Sequence, residues 1–358
     1  MYHIIAAFLT AYLVSFFSIP SIIKVAHLKN LCDEPDERRA HQGRIPTLGG
    51  LGIFAGLMFA VTFWLPFEAD TLKRMQYILS AYLVIFLIGA KDDIVSLSPK
   101  KKLIGQLLAA LILVWKADIY LTSFYGIFGI YDIPYALGIA LTIFVMLLII
   151  NAFNLIDGIN GLAGSIGMIT ATTFGYWFYA YGDPALAIMA FGVVGALLAF
   201  LHYNISPARI FMGDTGSLLL GLNIAVLSIV FIESNKVETA EGFIHASPAV
   251  AVAIMIIPLF DTLRVFVLRA MKRKSPFSPD KTHIHHMLLS LGLSHIQSTL
   301  VLCAVNIIFI VFAFLLQGLG ALWLMIAIFI LASLFTSLAY YLVRKKERTQ
   351  DLFKQQSS

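Results

Sequence analysis

An all-α fold of about eleven transmembrane helices is what this sequence predicts, on three observations. Hydrophobic residues fill 59% of the 358 positions and charged residues only 13%, whereas a soluble domain carries about a quarter charged. The mean hydropathy is +0.88. The apolar residues fall in long runs separated by polar loops, the pattern of a polytopic membrane protein.

The runs follow in order. Tyr2–Ile23 has no basic residue before it and Lys24 after it, the reverse of a cleavable signal peptide, so it is expected to be a retained span with its N-terminus outside. Leu48–Leu65 carries Gly52 and Gly56, a small-xxx-small pair suited to close helix packing. Tyr77–Ala90 ends beside Asp92 and Asp93, and Leu103–Trp115 follows three lysines. Tyr135–Ile150, Leu162–Ala180, Ala185–His202, Leu218–Ile232, Ala249–Val267, Thr299–Leu316 and Ala321–Val343 complete the set. Several are shorter than the ~20 residues of a straight span, so the runs fix the span ends only to within several residues.

Charge sets the orientation. Of the 25 lysines and arginines, 21 fall in the odd-numbered loops, near the end of the ninth run or in the tail, and 4 in the even-numbered loops. The positive-inside rule then predicts N-out, C-in. A ten-span reading, with one run not crossing, would flip part of the chain and spoil this asymmetry. The chain is expected to be a single transmembrane catalytic domain, residues 1–358. Its inside loops, about 24–47, 91–102, 151–161, 203–217 and 268–298, form one face, and 344–358 is a cytoplasmic tail. The net charge of +5 is spread over these loops and is no nucleic-acid signal. Cys32 and Cys303 provide neither a disulfide framework nor a CxxC pair.

The polar clusters gather on the inside loops. A charge at the centre of a span costs roughly 2.5–3.5 kcal/mol, so acids kept at span edges ask for a reason. Asp92, Asp93, Asp157, Asp214 and Asp261 all sit at the ends of apolar runs on this face. Adjacent carboxylates such as Asp92 and Asp93 repel unless a cation or proton intervenes, and a divalent metal bound to phosphates is one remedy. Alternatively they are a solvated helix end. Lys100, Lys101 and Lys102 close the same loop. The block Asn151–Gly161 contains amides and Asp157 but no lysine or arginine. Its oxygens suit a hard cation or sugar hydroxyls, though Asp-Gly and Asn-Gly are also ordinary turns. Phe211–Ser217 contains one Asp-Thr-Gly; a single copy argues against an aspartic protease, and Asp214 or Thr215 could simply cap a helix with Gly213 permitting the turn. His283-Ile284-His285-His286 lacks the companions of a zinc site, and imidazoles also donate to phosphate. The ensemble suits phosphate and metal chemistry at the cytoplasmic surface on a lipid substrate.

In these motifs and their order the chain resembles the polyprenyl-phosphate N-acetylhexosamine-1-phosphate transferases. The resemblance runs from about residue 33 to 290. It rests on Asp33-x-Pro35 with Arg38, His41, Pro46 and Gly49-Gly50, on Asp92-Asp93, on Lys102-Leu103-Ile104-Gly105-Gln106, and on Asn151–Gly161, Phe211–Ser217 and His283–His286. It implies a bacterial inner-membrane enzyme that moves a sugar-1-phosphate from a UDP-sugar to undecaprenyl phosphate and releases UMP. It further implies Mg²⁺, or Mn²⁺ in its place, on Asp214 and Asn154. By the same resemblance Asp92 and Asp93 are the paired acids, one of which deprotonates the lipid phosphate, and Lys102 binds phosphate. Asp157, Gly158 and Asn160 lie near the nucleotide, Phe211 packs on uracil, and His283, His285 and His286 serve the sugar-phosphate side. A homodimer is a family habit.

The His-Ile-His-His spacing after Ser275–Asp280 looks more like the enzymes that start surface polysaccharides with GlcNAc-1-phosphate than like the muramoyl-pentapeptide branch, which usually carries three consecutive histidines. A polytopic transporter is the competing class, but transporters more often break helices and bury acids at the midplane.

Overall fold

Each predicted run is helical, ten as single helices and the ninth as two. The computed structural model describes residues 1–33, 45–66, 68–205, 207–236, 243–271 and 283–356. Pro35, Arg38, His41 and Ser275–Asp280 lie outside the described residues. The helices are α1 Tyr2–Leu28, α2 Gly49–Trp64, α3 Ala69–Ile94, α4 Pro99–Lys116, α5 Tyr135–Ile156, α6 Leu162–Tyr181, α7 Pro184–Asn204, α8 Gly213–Ser234, α9 Ser247–Ile254, α10 Ile256–Met271, α11 Ile284–Ser290, α12 His295–Leu316 and α13 Ala321–Gln356. Among the described residues the departures from an all-α chain are a two-residue antiparallel ladder, β1 Cys32–Asp33 with β2 Ile45–Pro46, pairing Cys32 with Pro46 and Asp33 with Ile45, and an isolated antiparallel bridge between Ser123 and Asp132.

Among the described residues six helices (α1, α5, α7, α8, α12 and α13) are long and apolar enough to cross a membrane, and the α9–α10 pair makes a seventh if counted as one span. The chain is therefore a multi-pass membrane protein. Its outer helices present Phe17 at 70% exposure, Trp323 at 66% and Leu315 at 77%, apolar surface that lipid rather than water would cover.

Helix α8 is the axis. It is buried along nearly its whole length and packs on α2, α3, α5, α6, α7 and α9. A helix apolar on every side must be enclosed. Small residues bring its neighbours close. Ser15 of α1 donates to the Gly52 carbonyl at 2.9 Å, and a Cβ on Gly56 would lie 2.1 Å from the Ser15 hydroxyl. The predicted close packing at Gly52 and Gly56 is thus an α1–α2 contact.

The ninth run differs from expectation. It is not one straight helix but two, bent by 85° at Met255. Pro258 is the cause: it has no N–H for the carbonyl of Ile254, four residues back, and its ring crowds that carbonyl. The freed oxygen accepts instead from Asn306 of α12 at 3.1 Å and Thr170 of α6 at 3.3 Å. This explains two buried polar side chains in otherwise apolar helices. The bend turns α10 so that Asp261 meets the start of α11.

Candidate active site

The ends of α3, α4 and α5 converge on the first turn of α8. Pro99 at the start of α4 supplies helical φ without an N–H to satisfy. Lys100, Lys101 and Lys102 follow in its first turn, where the helix dipole disfavours cations. For Lys102 the compensation is two carboxylates. Its ammonium stands 2.6 Å from Asp92 Oδ2 and 2.5 Å from Asp214 Oδ2. Burial alone would lower this lysine, but the Asp214 and Asp92 carboxylates lift it above its ordinary value, so it stays charged.

The paired acids face different ways. Asp92 turns into the cluster, with Oδ1 accepting from the Leu97 N–H at 2.5 Å. Burial raises its carboxyl, and the neighbouring Asp214 adds to the rise against the pull of Lys102. Asp93 turns to α8. Its carboxylate accepts the backbone N–H of Asp214 at 2.7 Å, the N–H of Thr215 at 3.0 Å and the Thr215 hydroxyl at 2.5 Å. Met212 holds the N-cap position of α8 and makes no side-chain cap bond. The capping expected of Asp214 or Thr215 is therefore done from another helix, by Asp93. Burial pushes the Asp93 carboxyl up to about 6 despite these three bonds.

Glycines make this reach workable. Gly213 has φ +71°, and a Cβ there would lie 2.0 Å from the Thr47 carbonyl oxygen. The Gly50 and Gly49 N–H groups bond the Met212 and Phe211 carbonyls at 2.8 and 2.9 Å, and Phe211 N–H bonds Pro46 O at 2.8 Å. Phe211, half-buried, is thus fixed through its backbone on β2 and α2.

Asn154 lies in the last turn of α5. Its amide donates to Asp214 Oδ1 and, at 2.9 Å, to the Ser217 hydroxyl. Nearby, Asn151 pairs with Gln106 of α4, donating to its side-chain oxygen at 2.7 Å, so this asparagine ties α4 to α5. Among the described residues no three His, Cys, Asp or Glu side chains gather as a metal cage. Yet Asp92 and Asp214 aim two oxygens at one cationic atom, and Mg²⁺ commonly takes only one or two carboxylates with phosphate oxygens and water completing its shell. The donor set fits such an ion. For Asn154 to join it, its amide must turn over so that oxygen faces the cation.

The second cluster is the histidine motif. Asp261 of α10 is 2% exposed; its Oδ2 is 2.7 Å from His283 Nδ1, and its Oδ1 accepts from the Ile284 N–H at 3.0 Å and from Arg264 at 2.9 Å. His283 and His285 stack at 5.6 Å between ring centroids, and His285 meets His286 at 4.3 Å. His285 is 2% exposed, and neither ring nitrogen has a hydrogen-bond partner. Burial, with His286 beside it, pulls this ring down to about 3, so it is neutral at any working pH. It rests on Gly158: a Cβ there would sit 2.5 Å from His285 Nε2. Asn154 and Gly158 are four residues apart, at most about 14 Å of chain, so the two clusters flank one short loop.

Asp157 follows α5 at its C-cap, partly exposed. Asn160 is 3% exposed; its carbonyl accepts from Thr299 of α12 at 3.0 Å, and the next N–H, of Gly161, bonds the Asn204 side chain at 2.6 Å. Asn204 in turn donates to the Ile210 carbonyl at 2.8 Å, tying this loop to the segment before α8. By sequence alone Asn204 and Ser217 have no assigned role, Thr215 is marked only as a helix cap and Asp261 only as one of the acids at the ends of apolar runs. The available signal was their position: polar residues at the ends of apolar runs, beside the motifs.

The chain is also similar to known proteins. The profile of glycosyl transferase family 4 matches residues 75–232. The chain is 32% identical over 338 residues to the probable undecaprenyl-phosphate N-acetylglucosaminyl 1-phosphate transferase of Bacillus subtilis (strain 168), spanning 94% of this chain and 90% of that protein. It is 32% identical over 327 residues to the undecaprenyl-phosphate alpha-N-acetylglucosaminyl 1-phosphate transferase of Salmonella typhi, spanning 86% and 83%. The protein of the same description from Yersinia pestis is 31% identical over 319 residues, spanning 87% and 84%.

Proposed function

This chain belongs to glycosyl transferase family 4, and we propose that it transfers GlcNAc-1-phosphate from UDP-GlcNAc to undecaprenyl phosphate, releasing UMP. The observation that carries the reading is the half-buried cluster of Asp92, Lys102, Asn154 and Asp214 at the converging ends of membrane helices. Such a site holds phosphates next to the lipid from which the acceptor comes. The lysine and arginine asymmetry supports eleven spans, N-out and C-in, in a bacterial cytoplasmic membrane, with this face in the cytoplasm.

In the reaction an oxygen of the lipid phosphate attacks the β-phosphorus of the donor. The bond from that phosphorus to the bridging oxygen breaks, and UMP leaves. Asp92, raised by burial and by Asp214, takes the proton when the acceptor arrives protonated. A phosphate monoester ionises near pH 6, so charge neutralisation and positioning weigh more than base catalysis. Lys102 supplies a fixed positive charge to the phosphates. Asp214, with Asn154, would hold Mg²⁺, which when bound withdraws charge from the pyrophosphate. Asp93 keeps Asp214 in place through α8. Asp157, Gly158 and Asn160, Phe211 and the histidine motif serve the nucleotide and sugar-phosphate.

The test is UMP release by purified protein with Mg²⁺ and undecaprenyl phosphate, given UDP-GlcNAc, UDP-GalNAc or UDP-MurNAc-pentapeptide in separate reactions. Release with UDP-GlcNAc is expected. Release only with the pentapeptide would move the chain to the peptidoglycan branch, and no release with any donor from folded protein would reject the transferase reading.

A further inference from the structure

Asp261 is the acid that the reaction described above leaves unused. It is enclosed, and its oxygens meet three donors from two helices: Nδ1 of His283 at 2.7 Å, the Ile284 N–H at 3.0 Å and the Arg264 guanidinium at 2.9 Å. An ionised carboxylate only accepts hydrogen bonds, so the 2.7 Å contact puts a proton on His283 Nδ1. Nε2 is left as the ring atom available to a ligand. The His283 side chain keeps 7% of its surface open, and its stacked neighbour His285 touches Gly158 in the loop that starts from Asn154.

We propose that Asp261 is the positioning residue of the histidine motif. It holds His283 with Nδ1–H directed at its carboxylate, so that Nε2 acquires a proton and donates to a phosphate oxygen when the sugar diphosphate enters. The inference rests on the transferase reading for the identity of that anion. Its physical basis is that an imidazole flanked by an anion at each nitrogen favours the doubly protonated form. The resulting charge-assisted bond is about twice as strong as a neutral one. Among the described residues, the charged or titratable side chains near this pair of rings include Arg264 on α10, which bonds the same carboxylate, His285 and His286 on α11, and His295 on α12. Lys346 of α13 reaches the Ser290 carbonyl instead.

The alternative is that Asp261 merely ties α10 to α11. Asp261→Asn separates the two. Its remaining oxygen must stay on the Oδ1 side, which faces two donors, so its NH₂ replaces Oδ2 and points at His283 Nδ1. The ring must then accept at Nδ1 and carry its proton on Nε2. In a Ser–His–Asp triad the same exchange imposes the wrong tautomer on an otherwise intact site.

The experiment is ¹⁵N-histidine NMR of the full chain in detergent, with His283 assigned through His283→Gln, together with UMP-release kinetics. Expected for the wild type is an Nδ1–H tautomer without ligand and protonation of both nitrogens on adding UDP-GlcNAc. Expected for Asp261→Asn is an Nε2–H ring that stays neutral with donor, and a KM for UDP-GlcNAc raised about tenfold with the KM for lipid phosphate unchanged. An Nε2–H ring in the unliganded wild type overturns the proposal, and so does a variant with flipped tautomer and wild-type kinetics. If the variant does not fold, the wild-type spectra decide. The unliganded spectrum does not depend on turnover, so a wrong tautomer and an absent transferase activity are separate failures.

Discussion

Replacing Gly50 by alanine probes how packing sets the chemistry. A Cβ at this position would lie 2.1 Å from the Gly216 nitrogen, 2.7 Å from its Cα and 2.7 Å from the Thr215 carbonyl carbon, all backbone atoms of α8. Comfortable carbon contacts begin near 3.5 Å, so α2 and α8 must part by about 1 Å. Helix α8 cannot retreat freely toward α3, because a Cβ on Gly89 there would already be 2.5 Å from Thr215 Cα. Overpacking of this kind costs about 1–3 kcal/mol. The functional cost is larger. Gly50 holds the Met212 carbonyl, and two residues on, Asp214 is held by Asp93 at 2.7 Å. A shift of about 1 Å takes that bond past hydrogen-bonding range, and misplacement on this scale lowers rates by about 10²-fold. Gly192→Ala is the control. Its Cβ would meet the end of the Leu57 side chain at 3.3 Å and little else, so helix propensity favours it by about 1 kcal/mol. Thermal unfolding in detergent and UMP release are measured on both variants. Gly50→Ala is expected to lose stability and nearly all turnover, and Gly192→Ala neither. A Gly50→Ala protein with the wild-type midpoint and turnover would refute the argument that this backbone contact positions Asp214.

Three further outcomes are expected. Thr215→Val deletes the hydroxyl that donates to Asp93 at 2.5 Å; kcat should fall several-fold with both KM values kept, and an unchanged kcat would show that the two backbone N–H bonds to Asp93 hold the site without this hydroxyl. Asn306→Leu and Thr170→Val should each cost at most about 1 kcal/mol, since one donor still serves the Ile254 carbonyl, but the double variant should cost about 1–3 kcal/mol more than their sum because that oxygen is then orphaned; additive losses of thermal stability would contradict this account of the bend. Chelation with EDTA should abolish UMP release and Mg²⁺ should restore it, while full activity in EDTA would exclude the cation assigned to Asp214 and Asn154.

Much of the fold was legible in the chain because water and lipid impose a pattern on it. Eleven apolar runs became helices, and Gly52 and Gly56 announced the α1–α2 contact. The bend at Met255 was also encoded, by Pro258, but an apolar run read for hydropathy conceals it. What a freed carbonyl does depends on whether a donor stands nearby, and here the donors come from α6 and α12.

The site divides in the same way. Its residue types and their gathering at the ends of apolar runs follow from the sequence, since an acid is costly inside the bilayer and must sit at an edge or have a partner. Asp92 and Asp93 are equivalent as letters. Only the packing of α3 against α8 separates them, turning one to Lys102 and the other to backbone N–H groups 121 and 122 residues away. Asp261 and His283 likewise pair only because the bent helix α10 meets α11. Periodicity and polarity report each residue's surroundings along its own helix. Which oxygen meets which donor is decided by how closely two backbones approach, and at Gly50, Gly89 and Gly213 that approach leaves no room for a single added carbon.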